Sequence, residues 1–159
     1  MTTPSKALAA RLKAFNDELI RFIQTLDPQT WHKTCDSENW PINVVAHHIG
    51  YGHYRALGLA KLLSSGAPVP EFSHDAIDAM NKEHAAKFAD CTKEEVLAIL
   101  EKYGTAMAGF VDGLTDEQLN RTGNVPAMGG SFSAKQIFEV MVLESGEEHM
   151  VSMRTTAAG

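Results

Sequence analysis

At 159 residues, with 44% apolar and 21% charged side chains, the chain has the composition of an ordinary soluble domain long enough to bury a core. Lys and Arg number 14 against 20 Asp and Glu, a net charge of −6, which argues against nucleic acid or an anionic membrane surface as a partner. No apolar run approaches the ~20 residues of a membrane-spanning helix, the start MTTPSKALAARLKAF lacks an uninterrupted apolar stretch, and Cys35 and Cys91 form no metal-ligand spacing, so a cytoplasmic single-domain protein with reduced thiols is expected.

Residues 5–26 carry Leu8, Leu12, Phe15, Leu19, Phe22, Ile23 and Leu26 at spacings of mostly three and four, the period of an amphipathic helix. Asp27-Pro28 ends that helix, and DPQTWHKTCDSENWP reads as a loop. Pro41 suits the first turn of a second helix, where its missing N–H costs nothing; that helix is predicted to run to about Ser64. Gly66, Pro68 and Pro70 break the pattern, and residues 74–90 read as a shorter, polar helix. Thr92 with Glu95, and Thr115 with Gln118, have the spacing of capping boxes. The first opens a helix with Val96, Leu100, Tyr103, Met107, Phe110 and Leu114 on one face, the second a single short turn. NRTGNVPAMGGSFS reads as a loop, long enough to be functional. Ser133 with Gln136 opens the last helix, predicted to run to about residue 154 before a frayed tail. No segment alternates with a period of two for long enough to predict a strand. The expected fold is all-α: four long amphipathic helices in a bundle, with an additional short helix between the second and third long ones.

The stretch AHHIGYGH places His47, His48 and His53 on the second helix. At about 100° per residue, His47 and His48 point about 100° apart, His48 and His53 about 140°, and His47 and His53 about 120°. No pair can chelate one ion from a regular helix, at most one ring is expected to face the bundle centre, and its partners must come from other helices. On the last helix, Phe138, Val142, Ser145, His149 and Met153 recur at helical spacing, so His149 continues an apolar stripe and needs a polar partner. Gly146, mid-helix at a cost of about 1 kcal/mol relative to Ala, suggests close approach of another helix or a ligand. Asp78, Asn81, Glu83 and His84 read as a solvated face rather than a lid over the bundle mouth, and His32 and His74 as surface residues. Cys35 and Cys91 read as buried hydrophobes, and Met141, Met150 and Met153 as core filler. No GxSxG, HExxH, P-loop or GxGxxG pattern occurs.

The segment NWPINVVAHHIGYGHYRAL resembles the DinB/YfiT-like superfamily, which includes the mycothiol-dependent maleylpyruvate isomerase N-terminal domains. IDAMNKEHAAKFADCTKEEVLAILEKY is similar to the third-helix region of that family, so the resemblance covers nearly the whole chain. It implies a four-helix bundle of DinB/YfiT type, usually a homodimer. In many members it implies a divalent metal, zinc or nickel, held by one His of the second helix and a His-x-x-x-His or Glu-x-x-x-His pair on the last. Aligned on Trp40, the first ligand is His48, followed by Ile49, and the final ligand is His149. Four residues before His149 stands Ser145, whose neutral hydroxyl is a poor ligand, whereas catalytic zinc usually has three protein ligands. Glu144, Glu148, His53 or His84 completes the site, or nothing does. Two readings follow. One is a divalent-metal-dependent enzyme: a transferase or isomerase using a low-molecular-weight thiol, or a hydrolase. The other is a non-enzymatic binding or stress-related module with a degenerate metal site.

Overall fold

Thr3 opens the first helix: its hydroxyl accepts from the Lys6 backbone N–H, and Pro4 takes the first helical position. The computed structural model describes all of residues 1–159. In chain order the elements are α1 (Pro4–Thr25), α2 (Pro28–Trp31), β1 (Thr34–Cys35), β2 (Trp40–Pro41), α3 (Ile42–Ser65), α4 (His74–Lys87), α5 (Lys93–Asp112), α6 (Asp116–Asn120), β3 (Thr122–Val125) and β4 (Gly130–Ser133). The last helix, 134–158, is continuous but not uniform. It is α-helical over α7 (Ala134–Ile137), π-helical over Phe138–Glu144, and α-helical again over α8 (Ser145–Ala158).

Four long helices form the bundle, and their apolar stripes meet in one core that includes Leu12, Leu19, Ile42, Leu100, Phe138 and Met153. α1 packs on α5, α5 on α3, α3 on the last helix, and the π-helical stretch returns to α1. Consecutive long helices α1 and α3 therefore sit across the bundle from each other, bridged by one buried polar junction. There Asn16 of α1 donates to the Leu100 carbonyl of α5 at 3.0 Å and accepts from His53 Nε2 of α3 at 3.0 Å. Gly104 of α5 makes room for this amide: a Cβ there would lie 2.2 Å from Asn16 Nδ2.

All three capping boxes form, at Thr92 and Glu95, Thr115 and Gln118, and Ser133 and Gln136. Several boundaries differ from expectation. Pro41 lies one residue before α3, extended and paired with Thr34. The segment read as a loop at 120–133 contains an antiparallel hairpin pairing Thr122 with Ser133 and Val125 with Gly130. Each strand has only four residues, Gly123 and Gly130 among them, so too little alternation exists to mark it. The tail does not fray at 154. Thr156 donates to the Ser152 carbonyl, Lys33 donates to the Gly159 carbonyl, and Ala157 packs on the core, which carries the helix to Ala158. No helix is long and apolar enough to cross a membrane.

Gly146 has the packing role its position suggested, because a Cβ there would come within 2.4 Å of Phe15 Cζ. α8 meets α1 through this contact. In an unconstrained helix Gly→Ala gains about 1 kcal/mol; here the added methyl overpacks a filled core, which typically costs about 1–3 kcal/mol. Gly146→Ala is expected to lower the urea unfolding midpoint, and a raised midpoint would contradict the packing account.

Candidate functional site

The three rings of α3 point to three different neighbours, as helix geometry requires, but more of them are buried than expected. His53 is 1% exposed and faces α1 and α5 through Asn16, with Phe15 packed edge-on against its ring at 6.3 Å. His47, also buried, faces α4: its Nδ1 lies 2.7 Å from His84 Nε2, and its ring stacks on Phe88 at 3.8 Å. His48 is half-buried and faces the last helix, with the His149 ring edge-on at a centroid distance of 5.4 Å. The expectation that only one of the three turns inward is thus corrected: a bundle ringed by α1, α5, α4 and the last helix offers each imidazole a wall.

His84 is likewise corrected from solvated face to buried residue. It is 8% exposed, while Asp78 and Glu83 on the same helix remain exposed. α4 therefore covers the mouth of the bundle with one imidazole pointing in. Its ring lies 5.9 Å from that of His48. The bond to His47 uses Nε2, and Nδ1 is buried with no hydrogen-bond partner. An orphaned buried polar atom of this kind costs about 1–3 kcal/mol.

Glu38 gives the site a feature that sequence reasoning missed. It stands in the tight turn between β1 and β2, which Asn39 closes with a positive φ of 58° and an N–H donated to the Cys35 carbonyl. Asn adopts that left-handed conformation more readily than other side chains bearing a Cβ. The turn points Glu38 at α8, where its carboxylate accepts from His149 Nδ1 at 3.1 Å and from the Ser152 hydroxyl at 2.6 Å. Its side chain is 9% exposed. A carboxylate accepts only, so His149 carries its proton on Nδ1 and frees Nε2. Metal-binding histidines are commonly oriented by such a carboxylate. Trp40, on the next strand, packs edge-on to His48 at 5.3 Å, so one hairpin buttresses both rings.

Burial, and then the neighbouring His149 and His84 rings, push the His48 pKa down to about 3. At neutral pH it is an uncharged donor, and neither ring nitrogen is bonded to another protein group. His48, Ser145, Gly146 and His149 border a void of about 30 Å³, room for one water or ion. Two imidazoles sharing a tetrahedral ion at a metal–nitrogen distance of about 2.0–2.1 Å hold their centroids about 5 Å apart, a spacing that His48 and His149 match. As they stand, however, no three His, Cys, Asp or Glu side chains converge on one point.

The other candidates lie elsewhere. Glu144 and Glu148 are exposed, Glu144 despite the widened π-helical turn just before Ser145. His53 is on the far side of α3, committed to Asn16. Ser145 does border the void, at the position of the expected third ligand. Both cysteines are buried as expected. Burial raises the Cys35 thiol, and raises that of Cys91 to about 11, so neither is a nucleophile at neutral pH.

Comparison with known proteins gives the same architecture. The DinB superfamily profile matches residues 11–149. YfiT from Bacillus subtilis, described as a probable metal-dependent hydrolase with an unusual four-helix bundle topology, superimposes with a TM-score of 0.78 at 14% identity, over 99% of this chain and 89% of that one. An uncharacterised protein from Clostridium difficile 630 superimposes with a TM-score of 0.74 at 13% identity, over 98% of this chain and 96% of that one. No curated protein matches.

The buried rings set a pH dependence. Burial depresses the His53 pKa to about 4, whereas the unfolded chain titrates near 6.5. Between those values the unfolded state holds the extra proton, so the stability His53 contributes is complete above about pH 6.5 and is lost as pH falls toward 4. Urea midpoints measured across pH 7 to 4 are expected to fall, with a slope shallower by about one proton in His53→Gln. Identical slopes in the two proteins would refute this assignment.

Proposed function

This chain belongs to the DinB superfamily, and on that premise we propose that it is a divalent-metal-dependent enzyme whose ligands are His48, His149 and His84. The observation that carries the reading is the Glu38–His149 pair. A carboxylate holds Nδ1, which frees Nε2 on a ring spaced from His48 as two ligands of one tetrahedral ion would be. His84 would supply the third nitrogen in place of Ser145, since its ring lies 5.9 Å from that of His48 and its Nδ1 is buried with no partner. These nitrogens do not converge on one point in the structure, so His84 would have to shift to complete the set.

An ion held there supplies a Lewis acid that makes an external nucleophile available at neutral pH. The protein's own groups set the rest. His48 stays uncharged and ready to donate, Glu38 and Ser152 fix the His149 ring, and α4 limits water at the mouth. With both thiols buried, the nucleophile is a molecule from outside, a small thiol or water. That supports transfer or isomerisation with a low-molecular-weight thiol, or hydrolysis.

The alternative, a binding module with a degenerate site, rests on Ser145, whose hydroxyl leaves only two family-type ligands in place. Competition against a chromophoric chelator separates the two. The enzyme reading expects one zinc or nickel per chain, abolished in His48→Ala and in His149→Ala and weakened in His84→Ala. Glu38→Gln should weaken binding by about 10–100-fold, the usual effect of removing an orienting carboxylate. Absence of stoichiometric metal at any concentration supplied would leave the module reading standing. Unchanged affinity in His84→Ala would remove that residue from the ligand set.

A further inference from the structure

Three glycines interrupt the middle of α3, each at about 1 kcal/mol relative to Ala. Gly50 has a packing reason: a Cβ there would meet Ile99 Cδ1 at 2.7 Å. At Gly52 and Gly58 an added Cβ meets nothing within 4 Å. Both border open space instead. Gly52 lines a cleft of about 270 Å³ with His48, Arg55, Asn81 and Ser145. Gly58 lines a larger cleft of about 880 Å³, walled by apolar side chains such as Leu62, Val69, Phe72 and Met128. The two clefts meet at Arg55 and Met141, which border both.

The charge on these walls is one-sided. Although the chain carries a net charge of −6, no Asp or Glu lines either cleft, and the only charged residues there are Arg55 and Lys61. Lys61 lies over the Phe110 ring at 5.9 Å. Arg55 has no carboxylate partner. Its guanidinium sits 5.8 Å from the Tyr51 ring and makes one long hydrogen bond, 3.5 Å, to Asn81 Oδ1. A half-buried arginine with its fork unfilled, between an apolar cleft and His48, is matched to an anionic head on an apolar body. Of the two cations only Arg55 also borders the cleft beside His48, and a single guanidinium fork there matches one carboxylate.

We propose that this cleft binds a small-molecule carboxylate, its head on Arg55 beside His48 and its apolar body along Gly58 and the wall of Leu62, Val69 and Phe72. The volume lies within the roughly 300–1,000 Å³ of small-molecule sites. Gly52 and Gly58 are then the positions where a side chain would intrude on the ligand. Binding needs no metal ion, so it is tested on the full chain in excess chelator, where failure of the metal reading does not affect the outcome.

The probes are 2-naphthoate and its neutral isostere 2-naphthamide, measured by calorimetry. Naphthoate is expected to bind about tenfold or more tighter than the amide, the scale of a hydrogen bond to a charged group. Arg55→Gln should abolish that preference and leave amide binding unchanged. Gly58→Leu should weaken both ligands by about tenfold or more while the thermal midpoint holds or rises, because the new side chain enters the cleft and replaces a helix-disfavouring glycine. Equal affinity for the two probes in the wild-type chain, no binding of either at millimolar concentration, or undiminished binding in a folded Gly58→Leu protein would each overturn the proposal.

Discussion

The buried junction of Asn16, His53 and the Leu100 carbonyl holds the bundle in register. Apolar stripes alone tolerate sliding, since one Leu packs much as another does. A buried amide does not, because each polar atom left unpartnered costs about 1–3 kcal/mol. Asn16 satisfies both ends of its amide at once, on α5 through Leu100 and on α3 through His53. That ties α3 to two other helices at one height. Gly104 gives the amide its space, and Phe15, one residue before Asn16, reaches both the His53 ring and the notch left by Gly146. All four long helices are therefore keyed to a few neighbouring residues. The position of His48 five residues before His53, and of His149 three residues after Gly146, follows from that keying.

Around this frame the candidate site is assembled from distant parts of the chain. α3 supplies His48, α8 supplies His149, α4 brings His84 over the top, and the small hairpin before α3 adds Glu38 and Trp40. The candidate residues come from elements with very different amounts of packing. His48 and His149 are anchored in the core helices, and α4, largely exposed apart from His84, is the least embedded. Such an arrangement sets two of the imidazoles on packed helices and the other on a more exposed element. The π-helical stretch Phe138–Glu144 lies just before the half-site on α8; widened turns of this type recur near functional sites in other helical proteins.

The long helices and their caps were legible in the sequence because their rules are local. A Thr and a Glu three residues apart satisfy each other wherever they occur, and the stripe in α1 needs only the helical period. The divergence of His47, His48 and His53 was legible for the same reason. What each ring would meet was not. Glu38 and His149 are separated by 111 positions, and nothing near either one announces the other. His84 was misread because α4 has almost no apolar stripe; its polar neighbours are exposed as expected, and only a single ring turns inward. The β3–β4 hairpin escaped notice because short, glycine-bearing strands carry no period-two signal. The family resemblance added what geometry could not, by nominating His48 from the NWPINVVAHH segment and His149 from the last-helix ligand pattern before any distance was known.

The separate commitments of the three α3 imidazoles have a consequence for how such a protein can change over time. His53 is committed to the interhelix junction and His47 to the covering helix, which leaves His48 as the α3 imidazole without a protein hydrogen bond. Side chains at positions 48, 145 and 149 can therefore change without loosening the junction at 53. Scaffold and candidate site are thus separable traits, because the Asn16–His53 junction lies apart from the side chains that border the void.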